Sequence, residues 1–133
     1  MFPACSDTRT QTATCKLVEG PLVLGDPIND DMRNLEEVYG RVIVRKTTLE
    51  KLPAMPKLKK IEWKEESSKP AIEITDNANL KSIAELIKVE NVVLGPDNKA
   101  AQIERNPLLC IEQENANLPF VKKYASHVKL CGK

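Results

Sequence analysis

The sequence predicts a mainly β chain with short helices, wound as a right-handed β-solenoid of about four to five coils and disulfide-capped at both ends. Three observations predict it. Short apolar stretches with period-two alternation recur along the middle of the chain, the same kind of turn follows several of them, and the four cysteines lie only at the two ends. One coil of such a chain cannot bury its own apolar side, so neighbouring coils share a core and the ends need closing.

The strands come in order. Leu22-Val23-Leu24 is the first, followed by Val42-Ile43-Val44, Ile72-Glu73-Ile74 and Ala101-Gln102-Ile103. Alternation turns Leu22, Leu24, Val42, Val44, Ile72, Ile74 and Ile103 inward and their neighbours outward. The pattern then continues in step: Val44 through Thr47 to Leu49, Ile74 through Asn77 to Leu80, and Ile103 through Asn106 to Leu108 or Leu109. An Asn three residues past the last inward side chain can turn the chain and satisfy backbone groups of the next coil. A second apolar position recurs upstream of each strand at Val18, Val38, Ile61 and Val89, with Gly20 and Gly40 after the first two. Glu65 to Pro70 reads as a polar loop inserted into one coil. Chance alignment of aliphatic residues is the competing account of the repeat.

Two helices are expected beside the strands. Asp31 to Val38 places Met32, Leu35 and Val38 on one face. Near the end, Asn117 is a candidate N-cap with Pro119 in the first turn, and Leu118, Val121, Tyr124 or Ala125, and Val128 recur at helical spacing. The expected division of the 133-residue single domain is an N-terminal disulfide loop (1–15), the solenoid (16–111) and a helical cap (112–133).

Composition excludes several partners. With 20 basic and 19 acidic residues, net charge gives no steer toward nucleic acid or an acidic membrane. The densest basic cluster, Lys57, Lys59 and Lys60, is followed at once by Glu62 and reads as a solvated face. Aromatics are limited to Phe2, Tyr39, Trp63, Phe120 and Tyr124, so the core must be aliphatic. Apolar runs such as Val92-Val93-Leu94 are far too short for a membrane span. The opening residues, Met-Phe-Pro-Ala-Cys, hold neither the basic nor the apolar stretch of a secretion signal. Either a signal has been removed or the chain is cytosolic, and the cysteines bear on that choice.

Cys5, Cys15, Cys110 and Cys131 allow three pairings. Local pairing, Cys5 with Cys15 and Cys110 with Cys131, closes two short loops, each worth about 3 kcal/mol in the chain-entropy account. Zinc would want closer cysteine spacing or histidine partners, and the single histidine, His127, provides neither. Disulfides imply an oxidising, extracellular setting.

These pieces resemble the receptor L domain, the leucine-rich-repeat-like β-helix of insulin-receptor and EGF-receptor ectodomains. The resemblance is carried by residues 15–24, 35–44, Leu49 and Leu52, residues 56–61, Ile72-Glu73-Ile74-Thr75-Asp76-Asn77-Ala78-Asn79-Leu80, and Ile103-Glu104-Arg105-Asn106-Pro107-Leu108-Leu109-Cys110. Their order, with a cysteine before the first coil and another after the last Asn, makes it specific. The resemblance implies local disulfides at both ends, extracellular placement and a protein or peptide partner. Receptors of this type carry two L domains around a cysteine-rich region, then a membrane span and a kinase, whereas this chain holds one L-like unit.

Catalytic chemistry finds little support. His127 would have to serve any Ser-His-Asp or Cys-His site, yet it stands four residues from a disulfide cysteine on the expected capping helix. No phosphate-binding glycine motif occurs, no carboxylate pair is singled out by spacing, and no cofactor is expected. The acidic stretch Asp26, Asn29, Asp30 and Asp31 lacks the spacing of a calcium loop and suits a helix N-terminus instead. The expected partner-binding face is therefore the outward row Val23, Arg41, Ile43, Arg45, Glu73, Thr75, Gln102 and Glu104. Thr47, Asn77 and Asn106 are the expected turn residues. Apolar side chains among charges suit a protein surface better than a small molecule. The sequence thus reads as a non-enzymatic extracellular recognition domain for a peptide hormone, growth factor or another ectodomain, in a receptor fragment or a soluble decoy-like relative. The alternative is a spacing or dimerisation module of a larger ectodomain that touches no ligand.

Overall fold

A computed structural model describes residues 16–24, 34–52, 54–63, 70–94 and 101–132. Among them the chain alternates between two sheets. Strands β1 (Leu17–Glu19), β3 (Glu37–Tyr39), β5 (Lys60–Trp63) and β7 (Asn91–Leu94) form one sheet in that order. Strands β2 (Leu22–Val23), β4 (Val42–Arg45), β6 (Ile72–Thr75) and β8 (Ala101–Glu104) form the other. Every pairing is parallel. Parallel neighbours cannot be joined by a hairpin and need a crossover; here the crossover of each sheet contains a strand of the other.

Register stacks like on like. Leu22, Val42 and Ile72 share one row, and Val44, Ile74 and Ile103 share the next. All six are buried, as are Val18, Val38 and Ile61 from the odd-numbered sheet. Each such aliphatic side chain contributes about 1.5–3 kcal/mol on burial, so strands of two to four residues hold only because they share one core. The inward set expected for the even-numbered sheet is the observed one.

The two corners of this winding are built differently. Between the odd and even strands, Gly20 takes φ 127° and its N–H donates to the Tyr39 carbonyl at 3.0 Å. Gly40 packs directly over it, and a Cβ on Gly40 would stand 2.1 Å from the Gly20 carbonyl oxygen. After β4, β6 and β8 the chain turns through one left-handed residue each: Lys46 (φ 55°), Asp76 (φ 61°) and Arg105 (φ 59°). Thr47, Asn77 and Asn106 follow immediately and make a ladder. The Thr47 N–H and hydroxyl donate to Asn77 Oδ1 at 3.0 and 2.8 Å. Asn77 Nδ2 donates to the Val44 carbonyl at 3.0 Å and to Asn106 Oδ1 at 2.8 Å. Asn106 Nδ2 donates to the carbonyls of Ile74 and Glu104 at 2.8 and 3.1 Å. Leu109, not Leu108, continues inward.

At the C-terminal end Cys110 and Cys131 form a disulfide, beside a parallel bridge between Ile111 and Leu130. A 3₁₀ turn (Gln113–Asn115) and helix α2 (Pro119–Tyr124) bury Phe120, Val121 and Tyr124 against the core. A further short helix, α1 (Ala84–Ile87), precedes β7.

Several expectations require correction. The residues from Glu37 to Tyr39 are strand, not the end of a helix from Asp31, because Val38 pairs with Val18 and Ile61 while the Glu36 and Glu37 N–H groups bond the Lys16 carbonyl. Tertiary pairing overrides the local helical spacing there. Val92, not Val89, stands in register with Ile61, because α1 and the turn after it displace the strand. Leu118, not Asn117, occupies the N-cap of α2, without a side-chain bond, and the helix ends before Val128. The Cys5–Cys15 pairing, the Asp26 to Asp31 cluster and the inserted loop up to Lys69 lie outside the described residues.

Candidate recognition face

The outer face of the even-numbered sheet collects the expected row. Register aligns Val23, Ile43, Glu73 and Gln102, with Arg45, Thr75 and Glu104 in the next row. Val23 is exposed and Ile43 half-buried. Arg41 Nε donates to the Pro70 carbonyl at 2.7 Å, and its Nη2 reaches Glu73 Oε1 at 2.8 Å. The other carboxylate oxygen of Glu73 takes Arg45 Nη1 at 3.5 Å and the Thr75 hydroxyl at 3.5 Å. The Arg41 and Glu73 side chains are only 15% and 14% exposed, against 58% for Arg45. Thr75 is 1% exposed, so of this group Arg45 is the one that meets solvent.

A second group forms toward the ladder corner. Gln102 Nε2 donates to Glu104, whose carboxylate pairs with Arg105 at 3.1 Å. Arg105 also grips Asp76 with two bonds of 2.7 and 3.2 Å. The Arg105 guanidinium, first through its hydrogen bond and then through its charge, holds the Asp76 carboxyl below the ordinary range. The Gln102 bond, with Arg105 behind it, does the same for Glu104. Sequence alternation missed Asp76 and Arg105, since both sit at left-handed corners where the strand period ends. Their signal was the repeated position just before each Asn.

The odd-numbered sheet carries its own half-buried cluster. The Tyr39 hydroxyl donates to Glu37, Lys60 Nζ stands 5.3 Å above the Tyr39 ring, and Lys60 pairs with Glu62 at 3.6 Å. The bond to Glu37 raises the Tyr39 phenol above its usual value.

His127 is a structural group. Its Nε2 lies 2.7 Å from the Ile103 carbonyl, an outward backbone group of the last even strand, so the ring donates there. No three metal-binding side chains cluster among the described residues. No helix among them is long and apolar enough to cross a membrane.

Parallel sheets in fixed register, an Asn ladder and a C-terminal disulfide are now accompanied by a sequence match: the family model of the receptor L domain covers residues 14–121. The chain belongs to the receptor L domain family. Receptor L domains are non-enzymatic modules of extracellular receptor ectodomains, and the Cys110–Cys131 disulfide is in keeping with that setting. No curated protein and no solved structure matches this L domain.

Proposed function

We propose that this L domain is an extracellular protein-recognition domain and that it engages its partner on the outer face of the even-numbered sheet. The partner class is a peptide hormone, a growth factor or another ectodomain. In this reading the alternating strands wind as a right-handed β-solenoid, closed at its other end by Cys5 and Cys15. The carrying observation is the aligned pair Val23 and Ile43, two apolar side chains beside charges already matched to one another. An apolar centre with a satisfied polar surround loses little on desolvation, the general anatomy of a protein interface.

One observation favours the alternative of a spacing module. Arg41 and Glu73 spend their charge internally, as ordinary framework residues do. Titrating a panel of secreted hormones, growth factors and receptor ectodomains against immobilised protein separates the two readings. Recognition requires a binder whose affinity falls at least tenfold in Ile43→Asp and in Arg45→Glu, with melting temperatures kept. A binder indifferent to both variants sinks the proposed face.

A further inference from the structure

The last strands of the two sheets end differently. In β8 the outward carbonyl of Ile103 is taken by His127 at 2.7 Å. In β7 the Asn91 N–H donates to the Lys59 carbonyl at 3.2 Å, so Asn91 faces the neighbouring strand and Val92 turns its N–H and C=O away from it. Among the described residues no hydrogen bond reaches those two groups of Val92. A cavity of about 250 Å³ adjoins the same residue, walled by Val89, Val92, Leu118, Phe120 and Tyr124. It prolongs the apolar core, because Val18, Val38, Ile61 and Val92 form one inward row and a fifth strand would point its next side chain there. Helix α2 fills that place only in part. Tyr124 lines the cavity, and its hydroxyl is buried without a partner among the described residues.

We propose that β7 is a strand-addition site for an extended peptide segment. The segment pairs parallel to β7, bonds to the backbone of Val92 and sets one aliphatic side chain into the cavity. Pockets for free drug-sized ligands run about 300–1,000 Å³, so this smaller space suits a side chain delivered by a backbone. Edge pairing supplies affinity from the main chain and selectivity from the alternate side chain, the logic of β-augmentation. This edge is distinct from the sheet face proposed above and does not depend on it.

The test uses a library of end-capped, fluorescein-labelled hexapeptides in which aliphatic, aromatic, acidic and basic residues are scanned at every position, read by fluorescence anisotropy. Members that present an aliphatic residue are expected to bind. Val92→Pro removes an N–H that serves no ladder bond, so the melting temperature should hold while affinity drops at least tenfold. Tyr124→Phe should weaken binding about threefold if the peptide supplies the missing acceptor, a modest part of a tenfold step. Should Val92→Pro fail to fold, hydrogen exchange of the wild-type Val92 amide decides: slowing on peptide binding supports strand addition, and no slowing overturns it. Absence of any binder, binding indifferent to Val92→Pro, or selection of members without an aliphatic residue also overturns it. Self-association abolished by Val92→Pro would assign the edge to a second copy and refute the peptide. Ile43→Asp should leave peptide binding intact, which separates failure here from failure of the sheet-face reading.

Discussion

Replacing Asn77 with Ala tests the ladder that sets the register of the whole chain. The side chain is fully buried and makes four bonds: two accepted from Thr47 and one donated to each of the Val44 carbonyl and Asn106 Oδ1. At a net of about 1 kcal/mol each these sum to about 4 kcal/mol. The Thr47 hydroxyl can turn toward water and recover part of that, so a loss of about 3 kcal/mol is expected. Against a typical domain stability of about 5–15 kcal/mol this is a large fraction. With a urea slope of about 2 kcal/mol per molar, the midpoint should fall by about 1.5 M at unchanged slope. Circular dichroism at increasing urea measures it. A contrasting variant sharpens the reasoning: Asn77→Asp keeps the acceptors for Thr47 but turns a carboxylate oxygen toward the Val44 carbonyl and Asn106 Oδ1. At neutral pH it should be at least as damaging as Ala. A loss below about 1 kcal/mol in Asn77→Ala would mean that water replaces the amide, and the ladder would not be what fixes the register.

Three other perturbations probe separate parts. Gly40→Ala drives a Cβ to 2.1 Å from the Gly20 carbonyl oxygen; such overpacking costs about 1–3 kcal/mol and should lower the melting temperature, whereas an unchanged melt would refute the close approach. Cys110→Ser with Cys131→Ser opens a loop of sequence separation 21 and should cost about 3 kcal/mol in guanidinium titrations. Asp76 and Glu104 have lowered folded-state pKa values, so the stability they contribute is complete above their unfolded values of about 4 and is lost as pH falls through the lowered ones. Arg105→Ala should flatten the dependence of unfolding free energy on pH between about 5 and 2, and an unaltered slope would contradict the pairing.

The even-numbered sheet was readable because both its periodicities are local: apolar residues two apart point inward, and a polar residue three further on turns the corner. Thr47, Asn77 and Asn106 needed no knowledge of partners to be singled out. The odd-numbered sheet was harder. Its first two strands show one inward residue each, so no longer pattern distinguished Val92 from Val89 once α1 had intervened. Val38 sits at helical spacing from Met32 and Leu35, and only its partners across the sheet make it a strand residue. Thr75 illustrates a different gap. Alternation orients its side chain correctly, but burial under Arg45, Glu73 and Glu104 depends on how long neighbours drape across the sheet. The cavity beside Val92 and the lone Tyr124 hydroxyl arise from an imperfect fit between α2 and the core, and no pattern in the chain announces a misfit.

The unequal corners divide the molecule into a rigid seam and an adjustable one. From Val44 to Thr47, Ile74 to Asn77 and Ile103 to Asn106 the spacing never changes. Across the other corner the chain passes from Tyr39 to Val42 in three steps, from Trp63 to Ile72 in nine and from Leu94 to Ala101 in seven, yet the sheet register stays in phase. Lengthening a connection is cheap, about 0.6 kcal/mol per doubling, while one residue added between an even strand and its ladder residue would carry Thr47, Asn77 or Asn106 out of step with the side chains it bonds. New sequence, a tag or an epitope can therefore be grafted after Trp63 or Leu94 with the architecture intact, and the ladder side offers no such latitude.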